Sequence, residues 1–175
     1  MNIVDKILVD PITRGLKFFT KGGVPAYITQ VRGRTDGSAV PAGEIGEVIT
    51  AIVDRSSAQS LSSAVVKNLT SVLLPPGNWQ VTGQIAFIPA GGAVVANCCA
   101  LLALTNNEGQ SNTNTPDYCT AGSNFTSATN TDVPLTTPTR FVNVSVATSV
   151  YLNTSVNFTP GTCVAYGSIK AVRLP

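Results

Sequence analysis

Along most of the second half of the chain the apolar positions recur at every second residue, the spacing of a strand with one buried face. In Trp79–Ile88, residues Trp79, Val81, Gly83, Ile85 and Phe87 fall on one side and Gln80, Thr82 and Gln84 on the other. Phe141, Asn143 and Ser145 alternate with Val142, Val144 and Val146. Tyr151, Asn153, Ser155 and Asn157 alternate with Leu152, Thr154, Val156 and Phe158. Further strands are predicted at Val48–Val53, Ala64–Leu74, Ala93–Leu104 and Thr162–Leu174, separated by turn chemistry such as the Pro-Pro-Gly-Asn of residues 75–78. Between Thr105 and Pro138 the pattern lapses into a long polar passage with almost no core-forming residues, read as a loop. Strands of this length with one long excursion predict an all-β protein, an antiparallel β-sandwich of jelly-roll type. No segment carries a convincing helical period, and no strand–helix alternation is present.

Residues 1–43 read differently. Short apolar pieces at Ile7–Val9, Leu16–Phe19 and Tyr27–Val31 are cut by Asp-Pro, Gly-Gly and Asp-Gly. They are expected to form an extended N-terminal arm, with the sandwich occupying residues 44–175; an ordinary first hairpin of the domain is the alternative.

Charge sharpens this division. Only 11% of the 175 residues are charged, against about 25% in average domains. Thirteen of the 20 charged residues lie within residues 1–55. Over residues 1–34 six bases face two acids, a net charge of +4. Arg14, Lys17, Phe18, Phe19, Lys21, Tyr27, Arg32 and Arg34 are therefore the candidate docking residues of the arm. The overall charge of +2 gives no basis for nucleic-acid binding. No run of 18 apolar residues predicts membrane insertion, and the first residues lack a secretory leader pattern. The five Asn-x-Ser/Thr sites are read as a by-product of composition.

The chain has no histidine, which removes the usual general base and any Ser-His-Asp or Cys-His arrangement. A pair of glycosidase carboxylates drawn from Glu108, Asp117 and Asp132 is the remaining catalytic option, and solvated loop acids are the plainer reading. Cys98, Cys99, Cys119 and Cys163 form no CxxC pair and predict no zinc site. Cys119 could tether to Cys98 or Cys99, or the cysteines could be buried thiols. No cofactor is expected.

Three separated pieces carry a resemblance. Gly43, Gly46, Glu47 and Val48 open it. Leu73, Gly77, Trp79, Val81, Gly83 and Phe87 continue it. Tyr151, Leu152, Phe158, Gly161, Ala165, Tyr166, Gly167, Ile169, Ala171 and Arg173 close it. In this order they resemble the jelly-roll modules of bacteriophage virion proteins, found in tail-fibre, head-fibre and capsid-decoration proteins. The resemblance covers about residues 43–175. It implies a non-enzymatic, trimeric protein exposed on the virion, with Trp79, Val81, Phe87 and Tyr166 in the core. It also implies an arm that joins the tail or the major capsid protein. As a receptor-binding fibre, the protein would present Asn112, Asn114, Tyr118, Asn124 and Phe125 of the long passage to host-surface glycan. As a decoration protein or head fibre, it would bind the shell through the arm. A glycan-degrading enzyme is the distant alternative.

Overall fold

A computed structural model describes residues 37–108 and 131–175 in full, and residues 4–9, 16–20, 25–26 and 119–123 as strands. The chain divides into two compact units, Met1–Ser38 and Ala39–Pro175. The first carries β1 (Val4–Val9), β2 (Leu16–Thr20) and β3 (Pro25–Ala26). They pair in that order as an antiparallel three-stranded sheet. The expected extended arm is therefore folded upon itself. The apolar pieces Ile7–Val9 and Leu16–Phe19 satisfy their backbone groups against each other rather than against water.

The second unit is a sandwich of two antiparallel sheets. Its strands are β4 (Val48–Val53), β5 (Gln59–Ser60), β6 (Lys67–Leu74), β7 (Gly77–Ala90), β8 (Val94–Ala103), β9 (Cys119–Ser123), β10 (Val133–Thr136), β11 (Arg140–Val144), β12 (Thr148–Thr159) and β13 (Thr162–Arg173). The first sheet runs β4–β13–β7–β10, with β11 continuing the β10 edge of β7 and β5 extending the β4 edge of β13. The second runs β6–β12–β8–β9. Most consecutive strands cross from one sheet to the other, β8 to β9 and the short edge pieces β5 and β11 excepted, and β12 and β13 lie inside the second and the first sheet. This is the double Greek key of a jelly roll.

The two-residue period decides what fills the sandwich. Trp79, Val81, Ile85 and Phe87 of β7 meet Leu102 of β8, Val150, Leu152 and Val156 of β12, and Ile169 of β13, all fully buried. Truncating one of the leucines to alanine would cost about 2–5 kcal/mol through lost transfer energy and the cavity left behind. At Gly83 the sheets approach so closely that a Cβ would lie 2.6 Å from Leu152 Cδ1. The inner surface has room there for backbone only.

The long polar passage is not one loop. It contributes β9 at the edge of the second sheet and β10 at the edge of the first. Both are short, and Val-Pro-Leu-Thr places a proline in a strand. An edge position tolerates this because only one side of the strand needs its N–H groups. The chain leaves β10 and resumes pairing as β11 across a break. Thr137 N–H there donates to Gly83 O at 2.8 Å, and Gly83 N–H donates back to Thr137 Oγ1 at 2.9 Å.

The residues that open and close the sandwich converge. Arg173, at the end of β13, donates from Nε to Glu47 Oε2 at 2.8 Å and from Nη1 to Pro76 O at 2.8 Å. Its guanidinium lies 4.3 Å from the Trp79 ring centre, a stacked cation–π contact. Trp79 Nε1 donates to Pro75 O at 2.9 Å. The same Glu47 oxygen accepts the Gly43 N–H at 2.8 Å, and backbone bonds join Gly46 to Arg173 and Arg173 to Glu47. The Glu47 and Arg173 side chains are 9% and 10% exposed. Gly77 has φ +145°, and a Cβ on it would sit 2.2 Å from Arg173 Nη1. Glycine is required there by both conformation and space. Gly43, Glu47, Gly77, Trp79 and Arg173 thus form one structural clasp.

Candidate functional site

The outer face of the first sheet is the part of the sandwich that presents chemistry to solvent. Register fixes its rows. Ile52, Ser168 and Gln84 stand abreast across β4, β13 and β7, and Tyr166, Ala86 and Pro134 stand abreast across β13, β7 and β10. These rows floor an open groove of about 590 Å³. Ile52 is 65% exposed on it. The turn after β4 lies along one end. There Asp54 precedes a single 3-10 turn, Arg55–Ser57, which brings Arg55 over the sheet.

Three polar side chains lock together at that end. Arg55 grips Asp132 with two hydrogen bonds, Nε to Oδ2 and Nη2 to Oδ1, both 3.1 Å. The Tyr166 hydroxyl donates to Asp132 Oδ2 at 2.9 Å. Bidentate pairing fixes the carboxylate plane. Arg55 first, and the Tyr166 hydroxyl second, hold the Asp132 carboxyl below the ordinary aspartate value. The anionic partner in turn raises Tyr166 and Arg55 above theirs. Asp132 is therefore a fixed anion at neutral pH, an acceptor rather than a proton donor.

Tyr166 corrects an expectation. Placed in the core by the resemblance, it points outward and is half-buried at the groove. Cys163, Ala165, Ile169 and Ala171 occupy the inward positions of β13. Trp79, Val81 and Phe87 are in the core as expected. Asp132 does not join a carboxylate pair with Glu108, which is engaged instead by Lys67 of β6 in the second sheet. Asp117 lies outside the described residues. So do Asn112, Asn114, Tyr118, Asn124 and Phe125 of the proposed glycan loop, and Arg14, Lys21, Tyr27, Arg32 and Arg34 of the first unit. Lys17, Phe18 and Phe19 are on β2, paired with β1 at Leu8, Ile7 and Lys6.

The Cys119 bridge does not fit the register of the second sheet. Cys119 stands opposite Leu102, three rungs from Cys99 and four from Cys98. That is about 10 Å and 13 Å along the strand, beyond the span of a disulfide. Cys163 is a buried thiol, its pKa pushed up to about 11 by burial. Among the described residues no group of three or more Cys, Asp or Glu is placed to hold a metal ion, and no helix is long and apolar enough to cross a membrane.

The sequence signal for this site was thin. Arg55 and Asp132 are 77 residues apart, and only the fold joins them. The parity of β13 carried one usable hint, since Tyr166 follows the inward Ala165 and must face out.

No protein-family model matches the chain, and no curated protein does. Solved structures do. The fold is similar to a chain of the T13 particle of infectious bursal disease virus, with TM-score 0.52 and 17% identity over 90% of this chain and 37% of that one. It is similar to a chain of the T=1 particles derived from infectious bursal virus, with TM-score 0.52 and 14% identity over 91% and 40%. The VP2 subviral particle of infectious bursal disease virus aligns at TM-score 0.49 and 15% identity over 73% and 32%. The chain thus spans about two-fifths or less of the length of these neighbours. At such identities the likeness establishes the fold, a jelly roll of the kind found in virus capsid chains.

Proposed function

We propose that the protein is a non-enzymatic structural component of a virus particle. The observation that carries this reading is the jelly-roll sandwich, similar in fold at TM-score 0.52 to chains of icosahedral virus particles. The sparsely charged sandwich supports self-association, because wide neutral faces bury at low desolvation cost. A homotrimer is the assembly the bacteriophage resemblance implies. The basic first unit, with Lys17, Phe18 and Phe19 on β2, is the attachment element. It docks on the shell as in a decoration protein or head fibre. The likeness to shell-forming chains favours that placement.

The second placement is a tail-fibre or receptor-binding protein. It is favoured by a specific observation. The residues that carry the bacteriophage resemblance are also those that build the clasp between Glu47, Trp79 and Arg173. Such a clasp suits a displayed module, because it closes the sandwich without using the loops.

The deciding experiment is to locate the protein on intact particles with a labelled antibody in electron micrographs. Label distributed over the head supports the shell placement, and label at the tail tip supports the fibre. Particles without label overturn the virion reading. Removing residues 1–38 is expected to leave a folded sandwich that no longer joins the particle.

A further inference from the structure

We infer that the groove on the outer face of the first sheet is a binding site for a neutral saccharide, centred on Asp132, Arg55 and Tyr166. The site takes Asp132 and Pro134 from the end of the long polar passage but none of Asn112, Asn114, Tyr118, Asn124 and Phe125, to which composition alone points, and it does not depend on where the protein sits on a particle.

Four features fit that ligand class. The first is charge. Arg55 and Asp132 neutralise one another at 3.1 Å and Asp54 on the same lining leaves one net negative charge, so the site does not attract a phosphate or sulfate, and among the described residues no group of three or more Cys, Asp or Glu is placed to hold a metal ion. The second is hydrogen-bonding capacity. A guanidinium has five N–H donors and a carboxylate about four acceptor positions. The internal network uses two of the donors and three of the acceptors. What remains is a rigid array of donors beside an acceptor, the pattern that adjacent hydroxyls on a sugar ring satisfy. The Tyr166 oxygen adds a further acceptor. The third is the floor. Ile52, Ala86 and Pro134 provide apolar surface around the adjacent Gln84 and Ser168. A pyranose is amphipathic in the same way, with a C–H face and a hydroxyl rim. The fourth is size, since about 590 Å³ lies within the usual range for small-ligand sites of about 300–1,000 Å³.

Preorganisation strengthens the case. Arg55 is 61% exposed at its side chain, and an exposed arginine ordinarily samples many rotamers. Here the bidentate bond to Asp132, itself held by Tyr166, fixes the donors before any ligand arrives. Less side-chain entropy is then lost on binding.

The test is to expose the full chain to an array of neutral and acidic oligosaccharides, then titrate the best-retained neutral one by NMR or calorimetry. Three variants accompany the wild type. Asp132→Asn removes the charge-assisted network at constant shape. Ser168→Tyr fills the groove from its floor. Gln84→Ala leaves the network intact and removes one amide from the lining, and a thermal melt of each variant identifies any folding defect. Retention of a neutral oligosaccharide is expected, weakened at least about tenfold by Asp132→Asn, abolished by Ser168→Tyr, and reduced by a smaller factor in Gln84→Ala. No retention by the wild type overturns the inference. So does retention of acidic glycans alone, or binding that is unchanged in all three variants.

Discussion

Among the described residues of the sandwich, two arginine–carboxylate pairs answer different demands. Arg173–Glu47 is nearly sealed, with side chains 10% and 9% exposed, while Arg55–Asp132 stands open at 61% and 34%. The buried pair is surrounded by further obligations. Pro76 O, the Gly43 N–H and the Trp79 ring all depend on the same two side chains. The open pair has one additional partner, Tyr166, and keeps unused donors toward solvent. Burial turns an ion pair into architecture, because removing one partner strands the other without water. Exposure leaves it nearly neutral for stability and free to meet a ligand.

The comparison can be broken most severely at the clasp. Arg173→Met leaves the Glu47 carboxylate buried without its cation, and a loss of about 3 kcal/mol is expected in a denaturant titration. Gly77→Ala introduces a Cβ into the space of Arg173 Nη1 at a positive φ, and should cost about 1–3 kcal/mol by the same measurement. The next effect is a pH dependence. The Gly43 N–H, and after it Arg173, hold the Glu47 carboxyl below the ordinary glutamate value. A depressed carboxyl contributes stability that is fully present above its unfolded pKa, about 4.3. That stability is lost as the pH falls through the folded value. Thermal melts between pH 7 and 3 should therefore show an acid loss that Glu47→Gln largely removes. At the open pair the expected change is the smallest. Asp132→Asn should leave the melting temperature of the wild type unaltered at pH 7, and a clear drop there would mean that the groove is part of the scaffold.

The same contrast explains what could be read from residue order. Alternation is local, so β7, β11 and β12 were visible from Trp79–Phe87, Val142–Val144 and Leu152–Val156. Cys-Thr-Ala-Gly-Ser and Val-Pro-Leu-Thr are short and carry little apolar alternation, and therefore looked like loop. The clasp was half legible. Its glycines, tryptophan and arginine stood out as motif residues, but Glu47 and Arg173 are 126 positions apart, and nothing local announces that they meet. The groove was less legible still. Asp132 lay in a stretch that reads as solvated polar chain, and Tyr166 was assigned inward by motif where strand parity turns it outward.

The clasp also settles how the sandwich could be rewired. Gly46 N–H bonds Arg173 O, and Asn78 binds both Leu174 N–H and Pro175 O, so the beginning and the finish of this unit share one pole. The Gly91–Gly92 turn lies at the far end of the 14-residue β7, about 40 Å away by strand rise. A circular permutant that joins Pro175 to Ala39 through a short linker and opens at Gly91–Gly92 would keep both sheets. It would also move the free termini, and any cargo fused to them, to the opposite pole.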